Sequence, residues 1–394
     1  MDIIYSHAQL TIIAAAGSGS DYGLPGVGAR PRHPVKRHML GQIEFEEIVV
    51  DFKDEGRLIS TPWAQRGWTL QEGLLSKRRL IFTNRQTSFI CGHMCCTEST
   101  GSQIIFESRE VDLYFAIMNG LRRTLGLPVN RENHREIYRV IENYTDRILT
   151  YDTDILNACR GVLNNMCGFH VWGMPLESDR IADYDRMNLV WTLESLDNGH
   201  ETLRRPNFPS WSWTGWRGRI SFPRPYYGNL PSCRILLSAA NEEWQTMEEF
   251  MNKHHGDRTS RQLEQPTLLR ITAPRVYSRL FRCDEQGSQR RISQPQLLGK
   301  VTAFLRSAGG DQGKQVDLFL DQPIAEDEIE DVVYLVLCHP IRFGMAFGII
   351  LRPKGCVYER VGYMSAIYPT GNSRERDSWS TVLEDAQLFT IDVA

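Results

Sequence analysis

The stretch Ala64-Gln-Arg-Gly-Trp-Thr-Leu-Gln-Glu-Gly-Leu-Leu-Ser-Lys-Arg-Arg-Leu-Ile-Phe82 decides how the first part of this chain folds. It predicts a short helix that runs directly into a buried strand at residues 80–82. Thr61 is a suitable N-cap for this helix, and Pro62 stands where a first-turn proline is tolerated. The cluster of cations after the helix complements its dipole.

Trp68 and Glu72 are the most informative side chains of this helix. Residues four apart share a helix face, so we expect the indole and the carboxylate to project together. A carboxylate beside an indole on a largely apolar helix is either paired inside the fold or takes part in chemistry.

The motifs of this region resemble those of the fungal heterokaryon-incompatibility (HET) domain. The block that contains Trp68 is the most specific of them, and the similarity continues on both sides of it. The matching segments are Arg66-Gly-Trp-Thr-Leu-Gln-Glu72, Leu74-Leu-Ser76, Arg79, Ile4-Tyr-Ser-His-Ala-Gln-Leu-Thr-Ile-Ile-Ala-Ala-Ala-Gly17, Asp21, Gly23, Leu80-Ile-Phe-Thr83, Gln86, Cys91 and Glu98. Residues 144–156, 209–213 and 359–363 resemble the regions that commonly follow the domain.

The two blocks with which the family's domain normally opens are absent from this sequence. They are an Ala-Leu-Ser-Tyr-x-Trp-Gly strand and a Trp-Ile-Asp strand. The resemblance therefore implies a HET protein that lacks the first half of its signature domain. It also implies a role in allorecognition, that is, fungal non-self recognition, and in programmed cell death after hyphal fusion.

The HET family is in turn similar in pattern to TIR domains, whose catalytic helix carries a tryptophan and, four positions later, a glutamate. Trp68 and Glu72 have this spacing, and some TIR domains cleave the nicotinamide–ribose bond of NAD. The resemblance thus implies Glu72 as a catalytic residue, Trp68 beside it, and NAD as substrate, with no cofactor required. The alternative is a structural carboxylate paired with Arg66 or Arg79, with Trp68 in the core.

Three functions follow from these alternatives. The first is an NAD glycohydrolase that acts through Glu72. The second is a non-catalytic interaction module that binds protein partners or associates with itself. The third is a HET scaffold recruited as an enzyme of secondary metabolism.

Composition narrows the class of protein. The chain has 394 residues and a net charge of −3. Because this charge is small and negative, we expect no nucleic-acid partner. Its nine cysteines are scattered, as expected for free thiols in a reducing compartment. No apolar run is long enough to span a membrane. We therefore expect a soluble, cytoplasmic protein.

The order of predicted elements indicates an α+β fold with three parts. Residues 1–110 form a partial HET (TIR-like) α/β unit, residues 111–260 a helical region with a Trp-rich connector, and residues 261–394 a β-rich domain, either a sandwich or an open barrel. Within the first part, residues 10–15 read as a strand buried on both faces, and residues 89–95 as one further strand. In the second, Ile148 is expected on the buried stripe of a helix within residues 131–150.

Four other motifs carry weaker predictions. Gly17-Ser-Gly-Ser-Asp-Tyr-Gly23 lacks the spacing of a dinucleotide-binding loop and is read as a turn-rich loop. Cys91-Gly-His-Met-Cys-Cys96 has no second ligand pair, so no metal site is predicted. Arg30-Pro-Arg-His-Pro-Val-Lys-Arg-His38 is read as a solvated loop rather than a nuclear-import or phosphate-contact segment. The tryptophans of Pro209-Ser-Trp-Ser-Trp213 are expected to join the helical and β-rich parts.

Overall fold

A computed structural model describes most of the chain and shows a mixed α+β architecture. The described residues are 1–46, 58–91, 94–99, 103–105, 135–167, 169–179, 184–194, 204–222, 232–238, 243–254, 265–279, 281–283, 289–291, 296–306, 314–325, 328, 331–338, 345–367, 383 and 386–394. They contain six α-helices and 23 β-strands. The chain forms two compact units, Met1–Gly168 and Phe169–Ala394.

The first unit combines helices with one mixed sheet. Its helices are α1 (Asp2–His7), α2 (Pro62–Gln65), α3 (Thr69–Leu75), α4 (Arg135–Thr145) and α5 (Asn157–Met166). Its strands are β1 (Thr11–Ala14), β2 (Arg37–Leu40), β3 (Ile43–Glu46), β4 (Arg78–Phe82), β5 (Thr87–Cys91), β6 (Met94–Thr97) and β7 (Gln103–Ile105). Five of them form a sheet in the order β1-β4-β5-β6-β7, while β2 and β3 form a separate hairpin.

The sheet of the first unit is parallel only between β1 and β4. The pairs β4–β5, β5–β6 and β6–β7 are antiparallel, as expected for strands that only a few residues separate in the sequence. A TIR-like unit is therefore not confirmed.

The predicted helix around Trp68 begins as expected but is interrupted. The hydroxyl of Thr61 accepts a hydrogen bond from the backbone N–H of Ala64, and Pro62 opens α2. The helix breaks here because backbone groups of residues 65 and 67 form hydrogen bonds with Ile148 instead of within the helix. Gly67 N–H donates to the carbonyl of Ile148 at 2.8 Å, and Ile148 N–H donates to the carbonyl of Gln65 at 2.6 Å. Trp68 then occupies the N-cap position of α3.

Three further expectations for the first unit were wrong. β1 is buried on one face only, because no described element covers the face that carries Ile12: Ile13 is 1% exposed and Ile12 58%. Residues 89–95 are not one strand, because the chain reverses between β5 and β6 and places Phe89 opposite Cys96. Ile148 is 67% exposed instead of buried, because its backbone leaves the helix to bond residues 65 and 67. Residues 111–134 of the expected helical region lie outside the described residues.

The second unit is dominated by strands. They are β8 (His170–Val171), β9 (Met174–Asp179), β10 (Tyr184–Met187), β11 (Thr192–Glu194), β12 (Arg219–Ser221), β13 (Arg234–Ser238), β14 (Gln245–Thr246), β15 (Leu268–Arg279), β16 (Phe281–Cys283), β17 (Gln289–Arg291), β18 (Gln296–Arg306), β19 (Lys314–Ala325), β20 (Val333–Cys338), β21 (Met345–Lys354), β22 (Val357–Ile367) and β23 (Leu388–Val393). Its described α-helix is α6 (Met247–His254).

The residue boundaries of the two compact units differ from those of the three parts predicted from the sequence. Strands β8 to β14 occupy much of the described chain between residues 169 and 246, where a helical region was expected. β13 pairs with β15 across the predicted boundary near residue 260. The segments on either side of that boundary thus share one sheet.

The β-rich part closes into a barrel. The strands pair in the cycle β15-β18-β19-β22-β21-β20, and β20 returns to β15 through Arg275↔Leu335 and Val276↔Tyr334. The β-rich character predicted for residues 261–394 is confirmed, and closure removes the free edges that an open barrel would leave. Buried side chains fill the core: Val276, Val316, Leu318, Leu320, Ile324, Val332, Tyr334, Val336, Ala346, Ile350, Val361 and Met364. No helix in the described part of the chain has the length and apolarity needed to cross a membrane.

Candidate functional site

Glu72 is held by side chains from two other helices. The indole Nε1 of Trp63, on α2, donates a hydrogen bond to Oε2 of Glu72 at 2.9 Å. Tyr5, on α1, also hydrogen-bonds the Glu72 side chain. Burial, followed by the charge of Glu72 and this hydrogen bond, raises the pKa of Tyr5 to about 12, so the phenol remains a donor at neutral pH.

The arginines proposed as structural partners of Glu72 lie elsewhere. The buried guanidinium of Arg79 donates to the carbonyls of Gly73 and Leu74, where it caps the C-terminal end of α3. Arg66 is exposed. Among the residues that the structure describes, no basic side chain pairs with Glu72. The alternative of an arginine-paired carboxylate was therefore wrong.

Trp68 and Glu72 bond to different neighbours. The half-buried indole of Trp68 donates through Nε1 to Oδ2 of Asp154 at 3.2 Å. Asp154 lies in the short 3₁₀ turn Asp152–Asp154 that precedes α5. The helix region thus carries two half-buried carboxylates, each anchored by an indole N–H.

A close junction of three helices fixes the position of α3. The side-chain amide of Gln71 donates to the carbonyls of Asn157 and Ala158 at 3.1 and 2.9 Å, at the start of α5. Gly161 on α5 lies so near that a Cβ there would come within 2.5 Å of both Asp2 Cβ and Gln71 Oε1. The helix that carries Glu72 is thereby packed against α1 and α5.

Sequence reasoning identified Glu72 and Trp68 but missed Tyr5, Trp63 and Asp154. Trp63 lies within the motif region, yet nothing in its spacing pairs it with Glu72. Tyr5 and Asp154 come from segments distant in the sequence, so only the packing of the helices shows their contacts.

The site can interact with positive charge. A half-buried carboxylate that neutral donors hold in place keeps its orientation, and no described cation balances it. Such a group stabilises positive charge that develops nearby more strongly than it would in water.

The other motifs identified in the sequence make contacts that stabilise the fold. The hydroxyl of Tyr22 donates to Oδ1 of Asn84 at 2.6 Å, which fixes the glycine-rich loop against the β4–β5 turn. Arg32, from the basic segment, bonds Glu98 and the hydroxyl of Thr87. In the described residues, no group of three or more His, Cys, Asp or Glu side chains is arranged to hold a metal ion. Burial raises the pKa of Cys95 to about 12, so its thiol is protonated at neutral pH.

The Trp-rich segment packs inside the second unit. Trp211, Trp213 and Trp216 are at most 1% exposed. The indole of Trp213 donates to the carbonyl of Gly173 at 2.9 Å, and that of Trp211 to the carbonyl of Thr267 at 3.4 Å. These tryptophans therefore join the β8–β9 hairpin to the chain entering β15.

Residues 1–72 match the family model of the heterokaryon incompatibility protein (HET). The resemblance seen in the sequence is confirmed over this range, which ends at Glu72. Neither the curated proteins nor the solved structures include a match to the chain.

Proposed function

We propose that this chain, with its HET-family match at residues 1–72, acts in fungal non-self recognition and in programmed cell death after hyphal fusion, and that it hydrolyses NAD through Glu72. One observation carries the catalytic part: Trp63 and Tyr5 hold the Glu72 carboxylate, and no described cation balances it. The proposal places the protein in the cytoplasm, where NAD is present.

The proposed reaction breaks the bond between the nicotinamide nitrogen and C1′ of the ribose. The bonding electron pair leaves with nicotinamide, which becomes neutral, and positive charge develops on the ribose. Glu72 stabilises this charge or holds the ribose hydroxyls. Water then adds to C1′ and releases a proton, so the products are nicotinamide, ADP-ribose and H⁺.

Nicotinamide release from NAD by the purified full-length protein tests this function. We expect turnover by the wild type and a loss of at least about 100-fold in the Glu72→Gln variant, as for removal of an electrostatic stabiliser. Glu243→Gln, at an exposed site in the second unit, is the matched control and should retain full activity. Absence of turnover in the wild type, or equal turnover in Glu72→Gln, would refute the proposal.

A non-catalytic interaction module is the second candidate. The β2–β3 hairpin favours it, because Leu40 and Ile43 are 71% and 62% exposed. Apolar surface of this kind marks a site of protein contact. Cell death that persists in the Glu72→Gln variant would select this candidate over NAD hydrolysis.

A further inference from the structure

Asp154 is a second carboxylate close to the Glu72 site. Trp68, at the N-cap of α3, has helical backbone angles, so it shares a helix face with Glu72, with roughly 5 to 6 Å between their Cβ atoms. Its indole donates to Oδ2 of Asp154 at 3.2 Å. The Trp68 side chain thus connects the helix face that carries Glu72 to Asp154.

The turn that carries Asp154 is fixed in place. The backbone N–H of Asp154 donates to the carbonyl of Tyr151 at 3.1 Å. The next residue, Ile155, is 3% exposed, and its carbonyl accepts from the hydroxyl of Tyr144 at 2.6 Å. The amide of Gln71 ties the start of α5, which follows directly, to α3. The Asp154 carboxylate is therefore held on a rigid frame, as a binding group requires.

One oxygen of the Asp154 carboxylate is available to a ligand. Oδ2 accepts from Trp68, whereas no group of the described residues donates to Oδ1 and none of their cations pairs with this half-buried side chain. A carboxylate oxygen in this state accepts hydrogen bonds from hydroxyl groups, and ribose hydroxyls are a common partner of such carboxylates in nucleotide sites.

Tyr151 places an exposed aromatic ring next to this carboxylate. Tyr151 and Asp154 are the first and last residues of one four-residue turn, so their Cα atoms are less than about 7 Å apart. Tyr151 is 68% exposed. An aromatic ring that is open to solvent can stack on a nucleotide base.

Arg147 supplies a positive charge at the start of α3. Its half-buried guanidinium donates to the carbonyl of Arg66 at 3.4 Å and to the hydroxyl of Thr69 at 3.3 Å. Thr69 follows Trp68 in the chain, so this charge lies close to the indole that contacts Asp154. Burial lowers the pKa of Arg147 to about 10, which leaves the group charged at neutral pH.

We propose that Tyr151, Asp154 and Arg147 form the subsite for the ADP part of NAD. Tyr151 stacks on the adenine, Asp154 accepts hydrogen bonds from the hydroxyls of the adenosine ribose, and Arg147 binds the diphosphate. An aromatic ring beside a carboxylate suits a nucleoside, in which a planar base is joined directly to a sugar. This inference rests on the proposed function, in which Glu72 faces the other ribose of NAD.

The charge of Asp154 makes the subsite selective for NAD over NADP. NADP carries a phosphate on the 2′-oxygen of the adenosine ribose, where NAD has a hydroxyl. A carboxylate that accepts from this hydroxyl repels the phosphate. We expect the wild type to have at least about tenfold higher kcat/KM for NAD than for NADP.

Nicotinamide release from NAD and from nicotinamide mononucleotide tests the adenine contact. The mononucleotide has the same reacting bond but lacks the adenosine. We expect Tyr151→Ala in the full-length protein to raise KM for NAD about tenfold and to leave kcat/KM for the mononucleotide unchanged. Asp331→Asn, at an exposed site in the second unit, is the control and should change neither substrate's kinetics.

The ratio of kcat/KM for NAD to that for NADP tests Asp154. Asp154→Asn keeps an oxygen that accepts from Trp68 but removes the charge, so we expect the preference for NAD to fall at least about tenfold. An unchanged ratio would overturn the role of Asp154. Equal losses on NAD and on the mononucleotide in Tyr151→Ala would mean that the turn supports Glu72 and binds no adenosine.

Binding of ADP-ribose separates this inference from the proposed function. If the wild type releases no nicotinamide from any of the three substrates, the proposed hydrolysis is refuted, and calorimetric titration with ADP-ribose still measures the subsite. Binding that Tyr151→Ala weakens about tenfold, and that Asp331→Asn leaves unchanged, would support the subsite. Absence of binding, or equal binding by the wild type and Tyr151→Ala, would overturn it.

Discussion

Glu72 is a carboxylate oriented by neutral donors. Trp63 and Tyr5 interact with it through neutral hydrogen-bond donors, so they supply no positive charge. Arg79, the nearby cation expected to neutralise it, instead binds the carbonyls at the end of α3. Because these donors are neutral, they leave the negative charge of the Glu72 carboxylate unbalanced.

The Trp63–Glu72 hydrogen bond should contribute to stability. Trp63→Phe keeps an aromatic ring but removes the N–H donor, and we expect a loss of about 1 to 2 kcal/mol, because the acceptor is charged but only half-buried. Urea unfolding of Trp63→Phe, Glu72→Gln and the double variant measures the coupling between the two residues. A double variant whose loss equals the sum of the single losses would contradict a direct interaction.

Sequence reasoning reached the carboxylate but not its surroundings. Glu72 stood out because its type and spacing are readable within one helical turn. Asp154 is 86 positions from the indole that binds it, and no local pattern encodes such a contact.

At the scale of elements, the β8–β9 hairpin shows how one turn organises the strands around it. Trp172 has a φ of +49°, unusual for a bulky residue, and Gly173 a φ of +83°. The strained conformation is stabilised from several sides. Trp172 donates to Oε1 of Gln265 and to the carbonyl of Pro266 at 2.8 and 2.7 Å, and its own carbonyl accepts from Ser212 at 2.6 Å.

Gly173 should not tolerate a side chain. A Cβ would lie 2.6 Å from Cζ2 of Trp213, and the positive φ adds strain, so we expect Gly173→Ala to cost roughly 2 to 5 kcal/mol. Gly355 has a φ of +65° and open space where a Cβ would lie, so Gly355→Ala should cost only about 1 to 2 kcal/mol. Thermal and urea unfolding compare the two, and equal losses would show that the contact with Trp213 is unimportant.

At the scale of the second unit, two adjacent residues of β22 connect the barrel to segments that carry buried tryptophans. The buried guanidinium of Arg360 donates to Asp321 at 2.6 Å and lies 3.4 Å from the ring centre of Trp191. Glu359 forms ion pairs with Arg204 at 3.2 Å, Arg352 at 3.2 Å and Lys354 at 3.1 Å. Arg204 begins the described segment that carries the buried tryptophans, so Glu359 links that segment to the barrel.

Glu359 should make the stability of the protein depend on pH. Burial alone would raise the pKa of Glu359, but hydrogen bonds from Lys354 and Arg352 and the charges of Lys354 and Arg204 outweigh burial and hold it below its ordinary 4.5. A lowered pKa in the folded state means that the stabilisation is present above pH 4.5 and is lost as the pH falls through the folded pKa.

The free energy of unfolding, measured by urea titration at several pH values, checks this expectation. The wild type should exceed Glu359→Gln in stability at pH 7, and the difference should shrink as the solution is acidified below the ordinary pKa of the carboxyl group. A difference that stays constant down to about pH 3 would contradict the assigned role of the ion pairs.

The sequence by itself determined the features that depend on neighbouring residues. Thr61 and Pro62 mark the start of α2, regularly spaced strand-like segments mark the β-rich part, and the motif ending at Glu72 marks the HET match. Each of these is readable because capping, periodicity and motif spacing act over a few positions.

Only the tertiary structure decided which distant segments meet. It interrupts the predicted helix at Gly67, because that N–H bonds Ile148. It closes the barrel through β15 and β20, leaves one face of β1 exposed, and gives Glu72 an indole and a phenol as partners. The physical reason is that backbone hydrogen bonds and close packing choose among many partners of similar local propensity, and the choice depends on the whole fold.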